Sequence, residues 1–243
     1  MRVSFVNVLI CSVFALQACN EPKTQAASEQ TSDSIAQYTF DLEYSIASKL
    51  NLNLNIVRDF EAMDTNVYWP GGLSGPTIGV GIDLGHTGRR NIERVFKGIV
   101  DTATLRTLLS AAGVQGKAAA SWVAKNNVTI TKSVANLAFL RTCQIYWGFA
   151  TTKFGPEVQT LDPSVKGALL SLLMNYGPSS KHLNPLERYI KMRDMRGLAV
   201  AVRCLQNSNK NKNIRDALAR RRKLEHDVIL LAVREQPERV VMD

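Results

Sequence analysis

The chain has few of the residues that build metal centres or disulfide scaffolds, because its 243 residues include only three histidines and four cysteines. No metal-ligand spacing surrounds the histidines, so the sequence predicts no metal and no cofactor. Apolar residues make up 45% and charged residues 21% of the chain, which is too polar for a protein with several membrane spans. One soluble globular domain is therefore the default expectation.

The one long apolar run lies within residues 1–18, MRVSFVNVLICSVFALQA, and is shorter than the ~20 residues that a membrane-spanning helix needs. A single Arg before the run and small residues after it are typical of a secretory signal peptide. The segment ends in LQAC, which resembles the bacterial lipobox and implies that Cys19 is lipidated and becomes the new amino terminus. An ordinary signal peptide with an incidental cysteine is the alternative.

Residues 19–37 carry almost no large apolar side chain, so we predict a flexible tether between the lipid and a folded domain at residues 38–243. The lipid would anchor the protein in the bacterial cell envelope on the periplasmic side. Because Asn20 rather than Asp follows the cysteine, the outer membrane is favoured over the inner one. Export also permits disulfides, and Cys143 and Cys204 are the only possible pair; a bridge and two free thiols both stay open.

The formal net charge of +9 indicates a polyanionic partner. Export argues against nucleic acid and favours peptidoglycan or its attached anionic polymers. The stretch from Arg203 to Lys223 has eight basic residues and one acid, Asp216. Such a run is usually a solvated helix face, and here it could also attract anionic wall polymer. We expect a monomer that binds peptidoglycan glycan strands.

Helical spacing of apolar residues dominates the rest of the chain. The stretch 161–177, LDPSVKGALLSLLMNYG, has Asp162 as its cap, Pro163 in its first turn and Gly177 at its end. Further helical stretches are predicted at 52–63, 101–113, 131–150, 185–205 and 214–232. Only residues 67–69 and 76–83 have strand character. The sequence therefore predicts an α+β fold that is mainly helical, with one small sheet.

Residues 68–86, YWPGGLSGPTIGVGIDLGH, interrupt the helical pattern with a high density of glycine. Glycine lets a sheet backbone come close to a ligand, so we expect this segment to form the wall of a cleft. A straight strand would hold Thr77 and Asp83 ~20 Å apart. We therefore predict that the chain turns back between Gly79 and Gly81.

Phe60 and Glu61, followed by GPTIGVGIDLGH at residues 75–86, resemble the start of the phage-type lysozymes. The likeness is closer still to the muramidase domain of pesticin and related endolysins, in which the second carboxylate follows the Thr by six residues. Residues 165–177 resemble the family helix that ends in an Asn-x-Gly turn lining the cleft. A late Leu-x-x-Arg-Arg-x-x-Glu helix is matched by Leu218, Arg221, Arg222 and Glu225.

This resemblance covers roughly residues 55–230 and implies a lysozyme-like fold, with a Gly-rich hairpin sheet beside the active-site helix. It also implies that Glu61 is the general acid and that Asp83, with the Thr77 hydroxyl, positions and deprotonates a water molecule. Asp64 is the rival second carboxylate, because it lies three residues after Glu61.

Four further residues are candidates for substrate binding. The resemblance places His86 and Asn175 at the cleft, although His86 also suits a structural, hydrogen-bonded role. Tyr68 and Trp69 suit either stacking on sugar faces or packing in a core.

The predicted function is hydrolysis of the β-1,4 bond between N-acetylmuramic acid and N-acetylglucosamine, with inversion. Two alternatives stay open. One is a lytic transglycosylase, which uses a lone Glu and leaves an anhydro sugar. The other is a wall-binding lipoprotein that keeps the lysozyme scaffold without turnover.

Overall fold

A computed structural model describes residues 34–35, 37–59, 63–205 and 212–235. Helix α1 spans residues 37–45 and continues as a π-helical turn at Ile46–Leu50. The helices that follow in the described ranges are α2 Asn55–Arg58, α3 Leu84–Thr87, α4 Arg89–Phe96, α5 Thr102–Ser110, α6 Lys117–Lys125, α7 Lys132–Trp147, α8 Ala150–Phe154, α9 Pro163–Tyr176, α10 Leu186–Lys191, α11 Met195–Arg203 and α12 Lys212–Glu235. Short 3-10 turns lie at Pro156–Thr160 and Lys181–Leu183.

An antiparallel sheet of three short strands lies between α2 and α3. Its strands are β1 Met63–Tyr68, β2 Thr77–Val80 and β3 Ile82–Asp83, in the order β1-β2-β3. The chain reverses between β2 and β3 through Gly79 and Gly81, which have φ angles of 65° and 69°. Glycine adopts this left-handed backbone without steric cost. The prediction of a mainly helical α+β fold with a small sheet is confirmed.

Helix α7 is buried on nearly every side and separates two groups of core side chains. Phe139, Leu140 and Trp147 pack into a helical core with α9, α11 and α12. Leu137 and Ile145 pack into a second core with the sheet and α4. Because its side chains enter both groups, α7 forms the wall shared by the two cores.

Local signals set the ends of α9 as predicted. The Asp162 carboxylate accepts the backbone N–H of Ser164 at 2.7 Å, and Pro163 occupies the first turn. At the other end Gly177 has a φ angle of 78°, which stops the helix. These residues act on their neighbours in sequence. The bounds of α9 can therefore be predicted from the sequence alone.

Two helix predictions are wrong in detail. Residues 52–63 were expected to form one helix, but α2 ends at Arg58 and Met63 already belongs to β1. Residues 185–205 form two helices rather than one, because Arg193 has a left-handed φ of 54° and the Asp194 carboxylate caps a new helix at Gly197 N. A side-chain cap of this kind competes with continuation of the helix.

Cys143 is buried and Cys204 is exposed, and the two do not form a disulfide with each other. The open question of a disulfide is thereby answered against a bridge between them. Among the described helices, none has the length and the apolarity required to cross a bilayer.

Candidate functional site

A cavity of about 560 Å³ opens between the β2–β3 hairpin and the C-terminal ends of α7 and α9. Its sheet side is formed by Asp83 and His86, and its helix side includes Asn175 at the end of α9. Three of the predicted site residues thus meet around one space. A volume of roughly 300–1,000 Å³ is usual for a small-molecule site.

The sheet register brings Tyr68, Thr77 and Asp83 into one row. Tyr68 pairs with Thr77 across β1 and β2, and Thr77 pairs with Asp83 across β2 and β3. Directly paired residues project their side chains to the same face of a sheet. The predicted turn therefore brings Thr77 and Asp83 from six residues apart in sequence to neighbouring positions.

The Asp83 carboxylate accepts hydrogen bonds from three N–H groups. The backbone N–H of Gly75 lies 3.2 and 3.0 Å from its two oxygens, and the backbone N–H of His86 lies 3.1 Å from Oδ1. The ring Nδ1 of His86 is 3.0 Å from Oδ2, and it must carry the proton because a carboxylate only accepts. Asp83 thus caps α3 and ties the Gly75 loop to it.

Two glycines make this clamp possible. A Cβ atom on Gly75 would lie 2.4 Å from Asp83 Oδ1 and 2.5 Å from the backbone of Gly85. A Cβ atom on Gly85 would lie 2.3 Å from the carbonyl oxygen of Val114. All three distances are far below van der Waals contact. Gly75 therefore allows the close approach of backbone to the Asp83 carboxylate, and Gly85 allows the Val114 backbone to pack against α3.

Thr77 is only 3% exposed, and its hydroxyl donates to the carbonyl oxygen of Gly75 at 3.2 Å. It does not line the cavity. The Thr77 side chain therefore contacts the loop whose N–H holds Asp83, in contrast to the expected position beside a water molecule in the cleft.

Tyr68 and Trp69 are half-buried and likewise lie outside the cavity lining. The Trp69 Nε1–H donates to the carbonyl oxygen of Ser74 at 3.1 Å, which closes the loop between β1 and β2. This contact fits the core alternative for Trp69 better than a sugar-binding role.

Asp64, the rival carboxylate, lies in a different row of the sheet, paired with Gly79. Its carboxylate accepts the backbone N–H of Asn66 at 2.9 Å. It does not border the cavity. Of the two candidate second carboxylates, Asp83 is the one that faces the open space.

Helix α7 supplies a wall of the cavity that the sequence analysis missed. Thr142 and Tyr146 line it from α7, four residues apart and therefore on one helical face, and Phe149 lines it from the position just before α8. Burial raises the pKa of the Tyr146 phenol, and the negative charge of Asp83 raises it further. The sequence signal for this wall is the pair of hydroxyl-bearing residues Thr142 and Tyr146, four residues apart on a largely buried helix.

On the opposite side of Asn175, a cluster of charged side chains is buried between α9 and α12. Glu225 accepts from the Ser171 hydroxyl at 2.6 Å and from Arg222 Nη2 at 3.1 Å, and Arg221 Nε donates to the Ser171 hydroxyl at 3.1 Å. Glu225 is fully buried and Arg222 is 1% exposed. The expectation of a solvated basic face is therefore wrong for Arg221 and Arg222.

Burial shifts the pKa values of the ionisable groups in this cluster. It raises the pKa of Glu225, an effect that Arg222, Ser171 and Arg221 oppose. It lowers the pKa of Arg222, against the pull of Glu225. Hydrogen bonds and opposite charges compensate for the loss of water around these groups.

Two predicted residues, Glu61 and Cys19, lie outside the described residues. In sequence Glu61 falls between α2 and β1, the element that begins the sheet with Asp83. Of the other members of the predicted site, Asp83, His86 and Asn175 line the cavity.

A sequence family described as a domain of unknown function, DUF8812, matches residues 61–145. No curated protein matches the chain. Among solved structures, the chain is similar to a crystal structure of a mutant of phage P22 lysozyme, with a TM-score of 0.46 and 20% sequence identity. That similarity covers 73% of this chain and 94% of the lysozyme chain. The chain is thus similar to the domain of unknown function across the sheet and as far as α7.

Proposed function

We propose that this protein is a peptidoglycan hydrolase, a muramidase that cleaves the β-1,4 bond between N-acetylmuramic acid and N-acetylglucosamine. The observation that carries the proposal is the Asp83 carboxylate, held by three N–H groups at the edge of a cavity that Asn175 and Tyr146 also line. A fixed carboxylate beside a cleft with polar and aromatic walls is what a glycoside hydrolase needs.

In this proposal Glu61 is the general acid that protonates the leaving oxygen, and Asp83 activates the attacking water. The hydrogen bonds from Gly75 and His86 fix the direction of the carboxylate. The Thr77 hydroxyl donates to the Gly75 carbonyl, and thus helps to hold the loop whose N–H group binds Asp83. The family order of Glu, Thr and Asp in this sequence, and the Thr77–Asp83 pairing, support these roles.

The stereochemistry of hydrolysis depends on whether a water molecule fits between the two carboxyl groups. Carboxyl groups about 6.5 to 9.5 Å apart give inversion, and the first product from a β-linked chain is then an α-anomer. We propose an inverting, pesticin-like enzyme. Proton NMR of the first-formed sugar tests this step, and a β-anomer would show that the mechanism is a retaining one.

The central test is digestion of purified cell wall by Glu61→Gln and Asp83→Asn variants, with Asp64→Asn as the matched carboxylate control. We expect turnover to fall by roughly 10²- to 10⁴-fold in the first two variants, because each loses a proton-transfer group. Asp64→Asn should stay near the wild type. Full activity in Asp83→Asn together with loss in Asp64→Asn would identify Asp64 as the partner instead.

A lytic transglycosylase is the second candidate, because the N–H groups around Asp83 also suit a purely structural carboxylate. In that case Glu61 acts alone. Mass spectrometry of the released muropeptides separates the two, since hydrolysis gives reducing ends and transglycosylation gives anhydro ends. Wall binding without any released product would instead favour a non-catalytic lipoprotein.

For the cellular location we propose export, lipidation at Cys19 and a tether at residues 19–37 that holds the domain at 38–243 beside the periplasmic wall. Several acyl chains bind a membrane stably. Cys19→Ala should release the protein from the membrane fraction, and its unlipidated mass would be seen by mass spectrometry. A wild-type protein that is wholly soluble, with an unmodified Cys19, would contradict this location.

A further inference from the structure

We propose that Arg222 is a positioning residue, which holds the side-chain amide of Asn175 so that its NH2 group faces the cavity and donates to a carbonyl or hydroxyl oxygen of an N-acetylated sugar. The inference rests on the proposed function, because it takes the ligand of the cavity to be a saccharide. Arg222 is buried and lies on α12, whereas the Asn175 side chain that it orients lies on α9.

The direction of the Asn175 amide follows from donor and acceptor chemistry. Arg222 Nη2 lies 3.2 Å from Asn175 Oδ1. A guanidinium has only donors, so the atom that it contacts must be the amide oxygen. The NH2 group of the same planar amide therefore points away from Arg222. Asn175 is exposed and lines the cavity, so this donor is available to a ligand.

Arg222 is itself fixed on several sides. Its Nη2 also donates to Glu225 Oε1 at 3.1 Å, and its Nε lies 2.9 Å from Glu225 Oε2 as an ion pair. This second contact lies off the N–H direction, so it acts through charge rather than as a hydrogen bond. The guanidinium carbon lies 5.2 Å from the centre of the Tyr176 ring. These contacts restrict the planar guanidinium group of Arg222 to one orientation.

The contacts around Arg222 also reach back to α9, the helix that carries Asn175. Ser171 precedes Asn175 by one helical turn on α9, and its hydroxyl donates to Glu225 at 2.6 Å. Residues four apart lie on the same face of a helix. Ser171, Glu225, Arg222 and Asn175 therefore form a chain of contacts between α9 and α12 that ends at the cavity.

The sharpest test replaces the amide by a carboxylate. Asn175→Asp keeps an oxygen for Arg222, and the contact becomes a stronger, charge-assisted one. The same change removes the donor that faces the ligand. Calorimetry with the uncharged oligosaccharide tetra-N-acetylchitotetraose should show binding weakened about tenfold, while the melting temperature is not lowered.

Asn66→Asp is the matched control, because Asn66 also uses its amide oxygen, as acceptor for Thr129 at 2.8 Å, and lies outside the cavity lining. It adds the same charge and should bind the oligosaccharide as the wild type does. Unchanged binding by Asn175→Asp would overturn the proposal.

The role of Arg222 is tested by a double-mutant cycle. Arg222→Lys keeps the positive charge but loses the fork, so KM for wall fragments should rise several-fold while kcat changes little. In an Asn175→Ala background the same change should have no further effect on KM, because Arg222 acts through Asn175. Additive effects would show a purely structural role and overturn the proposal. A wild-type protein that neither binds the oligosaccharide nor cleaves wall would overturn both this inference and the proposed function, whereas normal wild-type activity with an unchanged Asn175→Asp would overturn the inference alone.

Discussion

Two carboxylates, one at the cavity and one buried between α9 and α12, are held in different ways. Asp83 is 28% exposed at its side chain, and its partners are two N–H groups of the backbone and the His86 ring. Glu225 is fully buried, and its partners are the Ser171 hydroxyl and the guanidinium groups of Arg221 and Arg222. One is anchored by nearby backbone, and the other by side chains from another helix and from the preceding turn.

The difference separates two uses of a charge. Backbone N–H groups orient Asp83, and among the described residues no lysine or arginine pairs with it, so its charge stays available at the edge of the cavity. Glu225 has no contact with water, and its charge is matched by arginines because a lone buried charge would be very costly. The backbone-held Asp83 carboxylate is suited to chemistry on a ligand. The buried Glu225 carboxylate is suited to holding α9 and α12 together.

The largest loss of stability should come from removing the buried partner. Glu225→Ala leaves two arginines without their carboxylate in the protein interior, and breaking such a pair costs about 3–5 kcal/mol. Urea denaturation followed by circular dichroism measures the loss. Asp227→Ala, at an exposed carboxylate on the same helix, should change the free energy of unfolding by less than about 1 kcal/mol. Equal losses would show that Glu225 is not a special anchor.

The next effect should come from filling the space behind Asp83. Gly85→Ala places a Cβ atom 2.3 Å from the carbonyl oxygen of Val114, where only backbone can move. Such overpacking typically costs about 1–3 kcal/mol. Gly72→Asn is the control, because nothing lies within 4 Å of a Cβ there and Asn tolerates the left-handed backbone. A stable Gly85→Ala variant would mean that the loop can shift without harm to the clamp.

A smaller loss of stability is expected for Asp83→Asn, since the amide keeps one oxygen to accept from Gly75 or His86. Loss of a helix cap of this kind costs about 1 kcal/mol. Activity should nevertheless fall by the much larger factor given above, because the charge is gone. If melting temperature and activity fall in proportion, Asp83 is only a structural clamp.

The smallest effect should come from pH alone, since no atom is removed. Burial raises the pKa of Glu225 above its ordinary 4.5, so the folded state holds a proton more tightly than the unfolded chain. Its contribution is fully present below the unfolded pKa and is lost as pH rises through the folded one. Relative to Glu225→Gln, the wild type should therefore gain stability as pH falls toward 4.5.

Asp101 should show the opposite sign. The Thr104 hydroxyl and backbone N–H lower the pKa of its carboxyl below 3.8. Its contribution is present above that value and is lost as pH falls through the folded pKa. Denaturation of the Asp101→Asn and Glu225→Gln variants across the acid range compares the two, and parallel curves would contradict the assignment.

Sequence patterns predict this structure best where one residue acts on its near neighbours. Asp162, Pro163 and Gly177 define α9, and the glycines at 79 and 81 reverse the chain so that Thr77 meets Asp83. Sequence patterns miss features that depend on residues far apart in the chain, such as the face of α7 with Tyr146 that lines the cavity together with Asp83.

The buried cluster could not be read from the sequence for the same reason. A run of basic residues from Arg203 to Lys223 has the composition of a solvated surface. Only the packing of α12 on α9 makes Arg221 and Arg222 buried, since Ser171 lies 50 residues away from Arg221 in the chain. The resemblance matched these residues as a motif but gave no account of what they contact.

The sequence by itself determined the helical character of the chain, the ends of α9 and the reversal of the hairpin, because each depends on local backbone preference. The tertiary structure decided which carboxylate faces the cavity, which tyrosine of α7 lines it, and which way the Asn175 amide points. Those features depend on contacts between elements far apart in the chain. The energy of such contacts comes from distance and burial, and neither is defined until the elements have packed together.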